Sequence, residues 1–554
     1  MRRLPLTLAF AFALAPAALP RQQHDGTGHQ PPAAPRAALV PGMGSHHHRV
    51  STRSAEAQRF FDQGLSFVYA FNHDEAVRSF RRAAELDPRL AMAYWGVAYA
   101  LGPNINLDVD PERERAAYDA VRRALKLSAG APRRERDYVE ALAERYTGNA
   151  QATPDDLRRL AVNFKHAMGE LSRKYPDDLD AATLYAESMM NLRPWKLWTP
   201  DGKPAEGTEE IIATLESVLR RDPRHIGAIH YYIHAVEASP RPERALPYVA
   251  RLPAQVPSAG HLVHMPAHIY MRTGDYHAAA ESNVAAARAD ESYIRATGAR
   301  GVYPLMYYSH NLHFEAIAYA MAGNAARALD AARRLEANVA PALKEMPMLE
   351  GFMTTAPLIL VRFRRWSDVM RLPQPDASMP VTVATWRFAR AMAYASTGKP
   401  DDAARERQLF TDSVNSLPAD TPFGSLNTAA AVFRVAAHTL DARMAAARGD
   451  LAAAAPALRL AAEAEDALNY DEPPPWFLPA RESLGGVLLR AGRAAEAERV
   501  FRDDLRRNPH NGRSLFGLRE SLKAQGRRRE SLLVSRRFAL AWRHADTRLR
   551  LADL

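Results

Sequence analysis

Between His225 and His313 the chain places nine of its 19 histidines, and their spacing is helical. Ile226 to Glu237 reads I-G-A-I-H-Y-Y-I-H-A-V-E, and Gly260 to Tyr270 reads G-H-L-V-H-M-P-A-H-I-Y. Residues three and four apart lie one above the other on a helix, so His230, His234 and Glu237 share one face, as do His261, His264 and His268. Neutral imidazoles with carboxylates are the ligand chemistry of Zn, Cu(II), Fe or Mn. His310, His313 and Glu187 extend the donor set beyond one tetrahedral site, so the pattern predicts one transition-metal ion or two. His230, His234 and Glu237 or a neighbour would hold one; His261, His264 and His268 would share the second with His310 and His313.

The elements that must position these donors are helices. Ala, Leu, Arg and Glu dominate the 554 residues and glycine is modest, a composition that favours helix over strand. The chain is too long for one compact core. With no cysteine there is no disulfide framework, no thiolate ligand and no acceptor for a lipoprotein lipid. The net charge of +10 comes from arginines spread along helical faces without aromatic interleaving, which argues against a nucleic-acid partner. Arg2 and Arg3, the apolar stretch Leu4 to Leu14 and Ala15-Pro16-Ala17 have the form of a cleavable signal peptide over 1–17, and predict a periplasmic or secreted protein. No segment is long and apolar enough to predict a membrane span.

Residues 18–50, with Pro31-Pro32, Pro35 and Pro41, read as a flexible linker. From Ser51 a 34-residue period sets in. Ala57 to Leu90 shows it best, with Gly64, Ala76, Phe80, Ala83 and Pro88, and Gly492, Ala497, Phe501 and Pro509 repeat it from Leu478. These residues resemble the tetratricopeptide repeat, a helix-turn-helix unit that must stack on its neighbours to bury its apolar face. The resemblance implies an all-α superhelical solenoid. Weaker copies start near Ala91, Leu179, Ile226, Gly260, Ser309, Ala384 and Val435, while Asn104 to Tyr175 and Ala340 to Pro380 fit poorly and read as longer, irregular helical pairs. The proline-rich segment 372–380 predicts a break between an N-terminal array, 51–371, and a C-terminal array, 381–554. The strings A-F-N-H-D-E-A, A-M-A-Y-W-G and L-G-P-N-I-N, from Ala70, Ala91 and Leu101, are similar to those of a secreted bacterial group of tetratricopeptide proteins. That likeness implies architecture, not chemistry.

In such arrays, first-helix positions 2, 5, 9 and 12 line the concave groove. The resemblance implies that His230, His234 and Glu237 (5, 9, 12), His261, His264 and His268 (2, 5, 9), His310 and His313 (2, 5) and Glu187 (9) face it. The alternative is a polar groove that hydrogen-bonds a protein or peptide partner, the usual task of these arrays. His73, His166, His277, His438, His510 and His544 read as structural, and His225 as a cap or surface residue. His24, His29 and His46 to His48 read as linker residues that bind metal only adventitiously. Trp195 and Trp198 are placed to wall the groove mouth or to pack, and Tyr470 to Trp476 as a rigid connector. No G-x-x-x-x-G-K-S/T, H-E-x-x-H or G-x-S-x-G string occurs, which sets aside P-loop, zincin and serine-hydrolase chemistry.

Overall fold

The computed structural model describes residues 37–554; the expected signal peptide, residues 18–36 of the expected linker, and His24 and His29 lie outside them. The described chain is an all-α succession of helical hairpins that forms a tetratricopeptide-like solenoid. The one ribbon among the described residues pairs Pro422 with Thr428 and Phe423 with Asn427.

The first hairpin shows why the sequence folds this way. Ser54 caps the helix Ala55–Tyr69, and Asn72 caps His73–Leu86, each side chain accepting a main-chain N–H that the helix cannot satisfy itself. Phe80 then fills the space left by two glycines: a Cβ on Gly64 or Gly96 would stand 2.7 or 2.4 Å from its ring. Gly485, Phe501 and Gly517 repeat the same wedge at the same intervals, with distances of 2.4 and 2.1 Å. Ring into glycine pair is the packing unit of this solenoid.

Helices begin where the repeat frame places them at Leu179, Ile226 and Gly260, and a few residues earlier than Ala384 and Val435. Of the poorly fitting stretches, Asn104 to Tyr175 does carry long helices, Pro111–Ser128 and Pro154–Lys174. Ala340 to Pro380 does the opposite. It breaks into 3-10 turns and the short helices Thr355–Arg362 and Trp366–Arg371, since Pro341 and Pro347 remove N–H donors.

Two domain expectations are corrected. Residues 37–50 are not a free linker: Met43 and Val50 are buried, the main chain at Ala38 and Val40 bonds Gln63, and Ser258 bonds the carbonyl of Pro41. The arm pairs its backbone polar groups with the solenoid and so lies along it. Nor does 372–380 divide the core. One apolar cluster runs from Ala267 to Ala480 across it, and Arg362 reaches over to Glu482 in a buried ion pair at 3.2 Å.

The far end returns to the middle. Trp542 packs against Gly323 and Gly512, and Asp546 accepts the main-chain N–H groups of Ala325 and Ala326 at 2.8 and 2.9 Å. The C-terminal segment thereby caps the helix Ala325–Val339. Among the described residues no helix is long and apolar enough to cross a membrane.

Candidate metal centre

Three successive first helices bring six imidazoles together in the interior. Ile226–Val236 carries His230 and His234, with Glu237 closing its C-terminus. Gly260–His264 and Pro266–Thr273 carry His261, His264 and His268; Met265 between them keeps helical angles, so the three histidines stay on one side although Pro266 interrupts the hydrogen-bond ladder. Tyr308–Met321 carries His310. His230, His264 and His268 are 0% exposed, His261 2%, His234 6% and Glu237 1%.

The outer ring nitrogens are committed. Nδ1 of His230 lies 2.6 Å from the carbonyl of Tyr69, and Nδ1 of His264 lies 2.7 Å from Oδ1 of Asn283, whose amide is oriented by donation to the Ala279 carbonyl. Nδ1 of His234 lies 2.8 Å from Glu237, and the other oxygen of that carboxylate meets Nδ1 of His268. Carbonyls and carboxylates only accept, so in these four rings the proton sits on Nδ1 and the lone pair on Nε2.

The inner nitrogens face one another. Nε2 of His264 is 2.7 Å from Nε2 of His268 and 3.2 Å from Nε2 of His310. Nε2 of His230 is 3.1 Å from Nε2 of His261, and Nε2 of His234 is buried without a partner. Donor atoms of His230, His234 and His261 come within 4.8 Å of one another, as do those of His264, His268 and His310, and of His234, Glu237 and His268. Burial, reinforced by neighbouring imidazoles, holds His230, His261, His264 and His310 well below the ordinary imidazole range, and burial also lowers His234. Burial opposes ionisation of Glu237, but His268 and His234 outweigh it and hold the carboxylate below its usual range.

Apolar rings wall the cluster. Phe314 lies 4.9 Å from His264 and 5.0 Å from His268; Phe71 lies 4.5 Å from His230 and 5.4 Å from His261. Phe71 holds φ at 54°, the left-handed turn position that Gly274, Gly323 and Gly449 take in later hairpins. A bulky residue pays about 1–2 kcal/mol for that conformation, and here its ring closes the histidine cluster. Trp195 stands 5.3 Å from His234, and with Trp198, Ile105, Met190 and Glu237 it lines a cavity of about 20 Å³, the size of one water.

Two of the expected donors stand apart. Glu187 is buried but engaged by the Tyr99 hydroxyl at 2.7 Å and the Asn191 amide at 2.5 Å, and burial raises its carboxyl. His313 packs against Phe352, and burial holds it down at about 3. Both therefore fall outside the donor groupings. Sequence reading missed Asn283, Phe71 and Glu472, a buried carboxyl pushed well above its usual range by burial and by Glu237. None of them has a local signal: Asn283 comes from the second helix of the hairpin that bears His264, Phe71 from the turn of the first hairpin, and Glu472 from the connector before Ala480.

A second grouping was read wrongly. His46 and His48 of the arm meet Asp180, as does His225. His225 does cap its helix, its Nδ1 accepting from Ala228 N–H, but it is 2% exposed rather than on the surface.

No protein-family model matches the chain, and no curated protein matches it. Among solved structures, the human IFIT1 dimer with m7Gppp-AAAA is similar at 14% identity and a TM-score of 0.31, covering 89% of this chain and 91% of that one. The APC/C heterotetramer Cut9-Hcn1 is similar at 12% identity and 0.31, covering 86% and 78%, and yeast Tom70 at 12% and 0.29, covering 87% and 92%. At such scores the likeness says nothing of what this chain binds; its fold rests on the helix pairing itself.

Proposed function

We propose that this chain is an exported tetratricopeptide-like solenoid whose interior histidine cluster holds a transition-metal ion or pair, Zn, Cu, Fe or Mn, through His230, His234, His261, His264, His268 and His310. One observation carries the reading. His264 and His268 both keep their protons on Nδ1, so two lone pairs meet at 2.7 Å, with a third nitrogen, from His310, at 3.2 Å. Such a contact calls for a cation between the rings. A proton serves two nitrogens, whereas an ion with nitrogens at about 2.0–2.1 Å gathers three.

The shell around the cluster supports the same reading. Imidazole Nδ1–H groups fixed by Glu237, Asn283 and a main-chain carbonyl are the outer-shell partners that orient metal-bound histidines. Burial favours the neutral form of His230 and His264 and keeps their lone pairs available. The metal would supply Lewis-acid or redox chemistry; the chain supplies a water-poor, aromatic-walled cavity beside His234 and Glu237. The alternative, a peptide laid in the groove, needs donors it can reach, and His230, His264 and His268 are 0% exposed. Export rests on the basic, apolar and small-residue order of 1–17.

The test is elemental mass spectrometry on the full chain, purified without an affinity tag, beside His234→Ala and His264→Ala. One or more equivalents in the wild type, reduced in both variants at unchanged helicity, is the expected result. Equal metal in all three overturns it.

A further inference from the structure

We infer that the outer face of the last α-helix docks on an anionic phospholipid bilayer, setting its leucines into the headgroup boundary and its arginines against the phosphates. The helix is Arg528–Ala541. It packs on Gly512–Ala524 through Ser531 and Val534, which are buried, and through Phe538, whose ring lies 5.8 Å from that of Phe516. Those positions are three and four apart and make one face.

The opposite face is bare. Leu532, Leu533 and Leu540 are 59%, 61% and 63% exposed, the most exposed large apolar side chains among the described residues. Leu533 and Leu540 stand two turns apart on one line of the helix, and Arg529 and Arg536 form a second line beside it. Arg528 and Arg537 are exposed as well. The one carboxylate of the helix, Glu530, is taken by Arg527, so these four arginines have no ion pair among the described residues. Between Arg527 and Arg543 six arginines stand against that single glutamate, which leaves five of the chain's ten net positive charges in 17 residues. After Trp542 the chain turns away to Gly323, so the segment that follows does not cover the leucines.

The occupant must suit leucine and arginine together. A neutral apolar surface would strip water from unpaired guanidinium groups, and a nucleic acid would leave three leucines wet. A second copy of this face would bring like charges together. An anionic bilayer satisfies both: its boundary takes apolar side chains to a depth of about 5–10 Å, while the long arginine stems reach back to the phosphates. The leucines also protrude from a single exposed helix, a ridge that a soft plane accepts more readily than a partner helix, which needs a groove.

Flotation with vesicles of phosphatidylglycerol and phosphatidylcholine in equal parts tests this. The full untagged chain is run beside a form lacking residues 1–17, so that the apolar stretch Leu4 to Leu14 is not mistaken for the helix. Both forms are expected to float. Binding should fall about tenfold or more on pure phosphatidylcholine, in Arg529→Gln/Arg536→Gln and in Leu533→Gln/Leu540→Gln, and should weaken in high salt. All four side chains are exposed, so helicity should not change. If the form lacking 1–17 does not float, the proposal is overturned and the face belongs to an acidic protein partner. Binding by the leucine variant equal to wild type overturns it too, showing adsorption of charge alone. None of these substitutions touches the histidine cluster, so the outcome is independent of its metal content.

Discussion

His230 presents its Nδ1–H to the main-chain carbonyl of Tyr69, 2.6 Å away and 161 residues earlier in the chain. The hydroxyl of that same tyrosine donates to Asp180. One buried residue thus touches both histidine groupings, through its backbone on one side and its side chain on the other. Tyr69→Phe keeps the carbonyl and the ring and removes only the hydroxyl. Equilibrium denaturation should show a loss of about 1.5–3 kcal/mol, the range for a hydrogen bond to a charged group, with metal retained at the interior cluster.

Glu237 fixes two imidazoles at once, so Glu237→Gln should weaken the interior site without removing a nitrogen donor. A drop of about 10–100-fold in Zn(II) affinity is expected, measured by competition with a chromophoric chelator, with far-UV circular dichroism unchanged. An affinity equal to wild type would mean that the carboxylate does not orient His234 and His268.

Asp290 gives a pH signature. It is fully buried, accepts hydrogen bonds from Tyr303 and Asn311, and burial pushes its carboxyl up to about 7. A folded-state value above the unfolded one means that the native protein holds the extra proton. Its stabilising contribution is full below about pH 4 and is lost as pH rises towards 7, at up to about 1.4 kcal/mol per pH unit. Against wild type, Asp290→Asn should lack this loss, so the stability difference between the two should move in favour of the variant from pH 5 to 7.5 in urea melts.

The ring-and-glycine wedge should be costly to disturb from either side. Phe501→Ala is expected to destabilise by about 3–5 kcal/mol. Gly485→Ala, whose Cβ would stand 2.4 Å from that ring, should cost about 1–3 kcal/mol by overpacking. Thermal melts of the two variants and their Gly64 and Phe80 counterparts would show whether both ends of the solenoid use the wedge alike.

The interior cluster was legible because helical period is a local property: His230 with His234, and His261 with His264 and His268, needed only their own helices. The convergence of the three helices followed from the repeat frame. Glu187 took a groove position in that frame but is turned to Asn191, at the end of its own helix, and to Tyr99, a contact that only a neighbouring hairpin supplies. His313, three residues beyond His310 on the same helix, lies round its side and packs against Phe352 instead. The arm was misread because Pro41 and its glycines have the composition of a tether; its hydrogen bonds go to Gln58, Asp62 and Gln63 on the first helix and to Ser258, a side chain more than 200 residues away. The alternation of His46 and His48 was the trace it left.

Trp542 and Asp546 give the molecule a mechanical character that an open solenoid lacks. In an array whose units touch only their neighbours, small rotations at each joint add up, and the whole lengthens and shortens like a spring. Here the segment that follows the last α-helix is fastened back at Gly323 and Ala325, the latter 221 residues before Asp546. A buckle of that kind turns the spring into a hoop. The strain of opening one joint must then be shared by every joint within the loop, and that loop begins at the helix Ala325–Val339, the partner of the helix that carries His310.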